Sequence, residues 1–300
     1  MDGGRGAYTF GVALTVVPRG PLIRSHRKSG WLSAVPEMNI FDRIWNSSLG
    51  KKYIMALTGA AMFAFLIGHL VGNLQVFGPP ELINGYAHFL KSKPALIWGA
   101  RLGLLACVGL HIFAAVTLHQ LNAAARPVGY AGKGAYGASK ASQYMLPTGI
   151  VIAAFIVYHL AHFTALLPGI NGVGDFSKLT TTLHGETVPD VYAMMVLGLQ
   201  VKWVCAFYLI AQALLFMHLS HGLAAMFQSL GFRDHVWWPR IQCFAKAASV
   251  ALLIGYSIIP VAICLRVVGS DYVERKKYDL KAANSLPAPA LVAAQGKEAK

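Results

Sequence analysis

Residues 51–77, KKYIMALTGAAMFAFLIGHLVGNLQVF, form an apolar run that opens on two lysines and holds a histidine, His69, deep inside it. At about 1.5 Å per residue, a helix of this length crosses the roughly 30 Å of hydrocarbon in a bilayer. Four more such runs follow. The whole chain is too apolar for an ordinary soluble domain: 56% of its residues are hydrophobic and only 13% are charged. The predicted fold class is all-α, an integral membrane bundle of five helices, with spans at about 53–77, 95–121, 145–167, 203–227 and 242–268.

The formal net charge of +14 does not imply nucleic acid as a partner, because the basic residues flank apolar runs instead of gathering on one polar face. They are better explained by topology, since short cytoplasmic loops are enriched in Lys and Arg. With a cytoplasmic N-terminus, the inner segments carry Arg43, Lys51, Lys52, Arg126, Lys133, Lys140, Arg233, Arg240 and Lys246. The outer loops then have only Lys91, Lys93, Lys178 and Lys202. The basic C-terminal tail, which this topology places outside, counts against it, but the early helices usually dominate, and the expected location is the inner (cytoplasmic) membrane with a cytoplasmic N-terminus and membrane lipid as the surrounding partner.

Residues 1–38 read as a disordered or mis-assigned N-terminal extension, with Met38 as an alternative start, and 39–268 as the membrane domain. The tail, 269–300, is charged and then Ala/Pro-rich, which argues against a packed domain. Between the spans, 78–93 reads as a short loop, 122–144 as a solvated turn and 168–190 as the longest polar connection. The stretch 191–227 is longer than one span requires, so 191–202 reads as a lead-in. Pro260 predicts a kink satisfied by neighbouring helices. No internal repeat is evident. The four cysteines lack CxxC spacing and read as small core residues. The absence of CxxCH excludes the signature of covalent c-type haem.

Counting from each helix entry turns the sequence into a depth map. His69 lies sixteen residues beyond Tyr53, and His159 fourteen beyond Met145, both on helices that start inside. His111 lies sixteen beyond Ala95 and His218 fifteen beyond Trp203, on helices that start outside. At the helical rise this makes an outer pair and an inner pair in layers about 15 Å apart. A single histidine in a span can simply hydrogen-bond to a neighbouring helix. Two pairs matched in depth suit bis-histidine ligation of two stacked b-type haems, with the iron held by His69, His159, His111 and His218. Gly68, Gly72 and Gly109 either let a porphyrin approach the backbone or serve helix packing.

Other polar residues are secondary candidates. His162 and His221 follow proposed ligands by three residues and share their helix face. They read as haem-edge or propionate contacts, or as solvated helix ends. Arg101 either pairs with a propionate or snorkels to the surface. His88 and Tyr86 mark a candidate quinone region, the alternative being an ordinary exposed loop, and His119 reads as interfacial.

The segments SSLGKKYIMALTG, GHLVGNLQVF, NGYAHFLKSKPALIWGARLGLL, LHIFAAVTLH, VYHLAHFTALL and FMHLSHGLAAMFQSLG, in that order, resemble the dihaem cytochrome b anchor of succinate:quinone oxidoreductases, the membrane subunit of succinate dehydrogenase or fumarate reductase. The resemblance covers about residues 41–268. It implies two haem b groups, with His69 paired to His159 and His111 to His218. It also implies a flavoprotein subunit and an iron–sulfur subunit docked on the cytoplasmic side, and electron exchange with a quinone, menaquinone or ubiquinone. The chain would be the electron-transfer subunit of an enzyme, with no succinate site of its own. Some members use an acid near the outer end of the second helix. Here Glu81 precedes Pro94, so the resemblance carries no proton path and no preferred direction. Two other functions remain open at this point: the cytochrome b subunit of a hydrogenase or formate dehydrogenase, and a histidine-lined transition-metal transporter. The near absence of intramembrane acids speaks against the transporter.

Overall fold

The computed structural model describes residues 39–125 and 139–272, together with Glu274 and Lys276. The expectations for 1–38, for most of the turn at 122–144 and for most of the tail lie outside the described residues.

Five helices are long and apolar enough to cross a membrane, and the protein is an all-α, multi-pass membrane bundle. In chain order, a short α1 (Ile40–Asn46) leads into the first span, α2 (Ser48–Leu74). An amphipathic α3 (Pro80–Lys91) precedes the second span, α4 (Pro94–Ala124). A single turn, α5 (Lys140–Gln143), precedes α6 (Met145–Phe163). Then come strands β1 (Thr180–Leu183) and β2 (Glu186–Pro189), α7 (Val191–Gln200), α8 (Lys202–Ser229) and α9 (Trp237–Cys264). The spanning helices expose many large apolar side chains, among them Leu57, Leu105, Val157, Ile210 and Ile254. In a bilayer those faces meet lipid tails, and the backbone polar groups are satisfied within each helix.

Local chemistry explains where the elements begin and end. Ser47 caps α2 by accepting from the Gly50 backbone N–H at 2.8 Å. Lys51, whose charge the sequence suggests as an inner-loop signal, is buried and donates to the Trp45 carbonyl at 2.6 Å. Proline stands at the first helical position of both α3 and α4, where its missing N–H costs nothing. The third span stops at Phe163, four residues earlier than expected. Leu166 takes a left-handed φ of 53°, the Leu167 N–H donates to the Ala161 carbonyl, and Pro168 cannot continue a helix.

Three connections differ from expectation. The loop at 78–93 is mostly α3, which buries Ile83 and Asn84 on one face. The polar connection contains an antiparallel hairpin in which Thr182 faces Thr187 and Leu183 faces Glu186. Its turn, His184–Gly185, has φ of 51° and 85°, the positive pair a tight two-residue hairpin requires. The lead-in at 191–202 is a separate helix, α7, and α8 begins at Lys202 after the break at Val201. α7 is apolar all round, and so it is buried: Tyr192 to Leu199 are all enclosed.

These connections assemble into a cap over one end of the bundle, centred on Asp190, which is fully buried. Its Oδ1 accepts from the Ala193 N–H at 3.0 Å and from Asn84 Nδ2 at 3.2 Å. Asn84 Oδ1 in turn accepts from the Tyr192 N–H. Tyr272 donates to Asp190 Oδ2 at 2.6 Å, and Lys276 Nζ donates to the Thr180 carbonyl at 2.7 Å. The start of the tail is thus packed, contrary to the unpacked reading. The main core lies under this cap, around Phe176, Leu197, Val204 and Ile263, and a smaller cluster of Leu223, Ala224, Ile241 and Ala245 lies elsewhere along α8 and α9.

Pro260 sits inside α9 and leaves the Tyr256 carbonyl without its helical donor. Gln212 of α8 supplies one, its Nε2 donating to that carbonyl at 3.3 Å. The neighbouring helix therefore repairs the break.

Candidate functional site

The bundle brings the four depth-matched histidines together in two pairs. His69 of α2 meets His159 of α6 with ring centres 5.7 Å apart and planes at 86°. His111 of α4 meets His218 of α8 with ring centres 6.4 Å apart and planes at 56°. The first pair lies toward the cap and the second toward the opposite end. A metal between two imidazoles stands about 2.0 Å from each nitrogen, and with roughly 1.1 Å from nitrogen to ring centre the centres come about 6.2 Å apart. The observed separations fall close to that value on either side.

Hydrogen bonds at Nδ1 decide which nitrogen of the far pair is free. The Thr58 hydroxyl donates to the Ile54 carbonyl at 2.7 Å and lies 3.2 Å from His111 Nδ1. With its proton directed to the carbonyl, the hydroxyl offers the ring a lone pair, an arrangement that suits the His111 tautomer protonated on Nδ1. In that tautomer the Nε2 lone pair is unprotonated, as a metal ligand requires. Thr148 repeats the arrangement, donating to the Tyr144 carbonyl at 2.7 Å and standing 3.3 Å from His218 Nδ1. The next residues, Gly59 and Gly149, pass the backbone against the same two rings.

The cap-side pair is built differently. Tyr208 of α8 stands 3.2 Å from His159 Nδ1 and 3.1 Å from His162 Nδ1. The phenol has one proton, so Tyr208 can donate to at most one of the two rings and accepts from any ring protonated on Nδ1. His69 stacks on Phe65 at 5.2 Å, and its carbonyl accepts from Asn73 Nδ2.

The secondary candidates fall in varied places. His162 is fully buried, which removes the reading of a solvated helix end. It stacks on Phe163 at 4.0 Å, and its Nε2, which has no hydrogen-bond partner among the described residues, presses on Gly198 of α7, where a Cβ would come within 2.8 Å. His221 is half-buried on α8. Arg101 lies on an exposed face of α4 with its guanidinium 5.2 Å from the Trp98 ring centre. His119 is exposed. His88 stands 3.5 Å from Glu186 of the hairpin. Tyr86 packs over Gly72, where a Cβ would clash at 2.9 Å, so that glycine makes room for α3. At Gly68 and Gly109 an added Cβ would meet open space.

The residues missed in the sequence are Thr58, Thr148 and Tyr208. The two threonines had a signal: each opens a Thr-Gly pair eleven residues before a candidate ligand, Thr58 before His69 and Thr148 before His159. Tyr208 had none, because its role depends on α6 lying against α8.

Among the described residues no three His, Cys, Asp or Glu side chains gather as a metal site. The candidate donors are the two imidazole pairs. Two imidazoles leave most of an iron's coordination positions to be supplied by something else, which a porphyrin does. The residues present fit that group. Comparisons with protein-family models, with curated proteins and with solved structures find no match.

Proposed function

We propose that the chain is the dihaem cytochrome b anchor of a succinate dehydrogenase or fumarate reductase, exchanging electrons between an iron–sulfur partner and membrane quinone. The observation that carries this is the meeting of four intramembrane histidines as two pairs on alternating helices. Ionisable groups at such depth are costly enough to favour a function over mere packing.

His69 and His159 would hold one haem, and His111 and His218 the other. When bound, each haem supplies a one-electron carrier inside the hydrocarbon layer. The protein's own contribution would be to present one imidazole nitrogen from each of the two helices of a pair, Nε2 in the case of His111 and His218, and to exclude water with apolar helices. On α2, Thr58 lies level with the far pair and His69 belongs to the near one, eleven residues or about 16 Å away along the axis. The two layers thus divide the bilayer into two short transfers. The loop charges favour a cytoplasmic position for the α1 end, where a flavoprotein and an iron–sulfur subunit would dock. A quinone would react at the cap end, near Tyr86 and His88.

The purified protein is expected to show reduced b-type absorption, and His69→Ala to lose half of it. A spectrum without that absorption, or a variant with its full haem content, overturns the haem assignment. Co-purification with a flavin-containing partner that oxidises succinate tests the choice of enzyme, and a hydrogenase or formate dehydrogenase activity in the purified complex would redirect it.

A further inference from the structure

We infer that Thr58 and Thr148 are the positioning residues of the far-side haem, each fixing the tautomer and ring direction of one axial histidine. This rests on the dihaem assignment above and deepens it. The two contacts are equivalent in kind and cross between helices: α2 to α4 for Thr58 and His111, α6 to α8 for Thr148 and His218. In each, the hydroxyl is oriented by its bond to the carbonyl four residues back, which leaves only an acceptor for the imidazole. An accepted Nδ1–H makes the imidazole a stronger donor through Nε2 and prevents the ring from presenting its protonated nitrogen to the metal.

Among the described residues the cap side is built otherwise. There a phenol shared with His162 meets His159. The two layers therefore tune their ligands by different means: two threonine acceptors in one, a tyrosine divided between two rings in the other. Equal spacing underlies the arrangement. Thr58 and His69, and Thr148 and His159, are eleven residues apart on α2 and α6, so each helix contributes a ligand to one layer and an acceptor to the other.

The test compares Thr58→Val and Thr148→Val, which keep side-chain volume, with Thr58→Ser and Thr148→Ser, which keep the hydroxyl. In the membrane-extracted holoprotein, each valine variant is expected to raise the midpoint potential of one haem and change its low-spin ferric resonance. It should also lose that haem about 10-fold faster on dilution, and the serine variants should restore all three. The affected haem must be the component missing in His111→Ala and present in His69→Ala. Valine variants with unchanged potentials and resonances, or an effect on the component missing in His69→Ala, overturn the inference. A wild-type protein without any b-type spectrum overturns the dihaem assignment instead, so the two failures are distinguishable.

Discussion

At the scale of single residues, two glycines that look alike in the sequence make opposite demands. A Cβ on Gly198 would lie 2.8 Å from His162 Nε2 and 3.3 Å from the Phe176 ring, inside the packed cap. Overpacking of that kind costs about 1–3 kcal/mol. A Cβ on Gly59 would lie 3.5 Å from His111 Cε1, an ordinary contact. Gly198→Ala is therefore expected to lower the thermal midpoint in detergent by several degrees, while Gly59→Ala leaves it within error. A Gly198→Ala midpoint unchanged from wild type would show that the cap tolerates repacking. Gly50 belongs with Gly198, since any side chain there would collide with the Ile44 carbonyl as α1 crosses the start of α2. Such demands are not legible in a sequence. A glycine's neighbour is a matter of which helix lies against it.

At the scale of elements, the cap is held by one buried carboxylate, and its behaviour toward pH follows from that. Asp190 accepts from Tyr272, and burial, followed by this hydrogen bond and the nearby charge, raises the Tyr272 phenol above its ordinary value. A raised value in the folded state means that the contribution of Tyr272 to docking is complete below about pH 10, the ordinary range of a phenol. It is lost as pH climbs through the folded value. Hydrogen exchange at residues 268–272 should therefore stay slow at neutral pH and accelerate above about pH 10, with Tyr272→Phe showing fast exchange throughout. Asp190→Asn removes the charge that Lys276 Nζ approaches at 3.5 Å. It is expected to expose Lys276 to trypsin at neutral pH, and continued resistance would mean that the uncharged contacts, Lys276 to the Thr180 carbonyl and Tyr272 to residue 190, hold the segment. The hairpin and α7 were partly legible beforehand: His-Gly between two polar runs is a turn signal, and a stretch too long for one span must break somewhere. That the break isolates a fully buried helix is a consequence of what α3 and α9 place around it.

At the scale of the whole molecule, five crossings put α1 and the docked start of the tail at opposite ends. A reporter fused before Ile40 and one fused after Lys276 are expected to report from opposite sides of the membrane. The same side for both would remove one span. Span length, apolar composition and the depth of each histidine are one-dimensional quantities, set by the rise of a helix and the thickness of hydrocarbon, so the sequence alone determined the bundle and which histidine stands level with which. The contacts that reach across the chain were decided only in three dimensions. Thr58 meets His111 across 53 residues, Thr148 meets His218 across 70, and Asn84 meets Asp190 across 106. Which ring nitrogen is left free depends on a hydroxyl from another helix, and no periodicity within one helix carries that information.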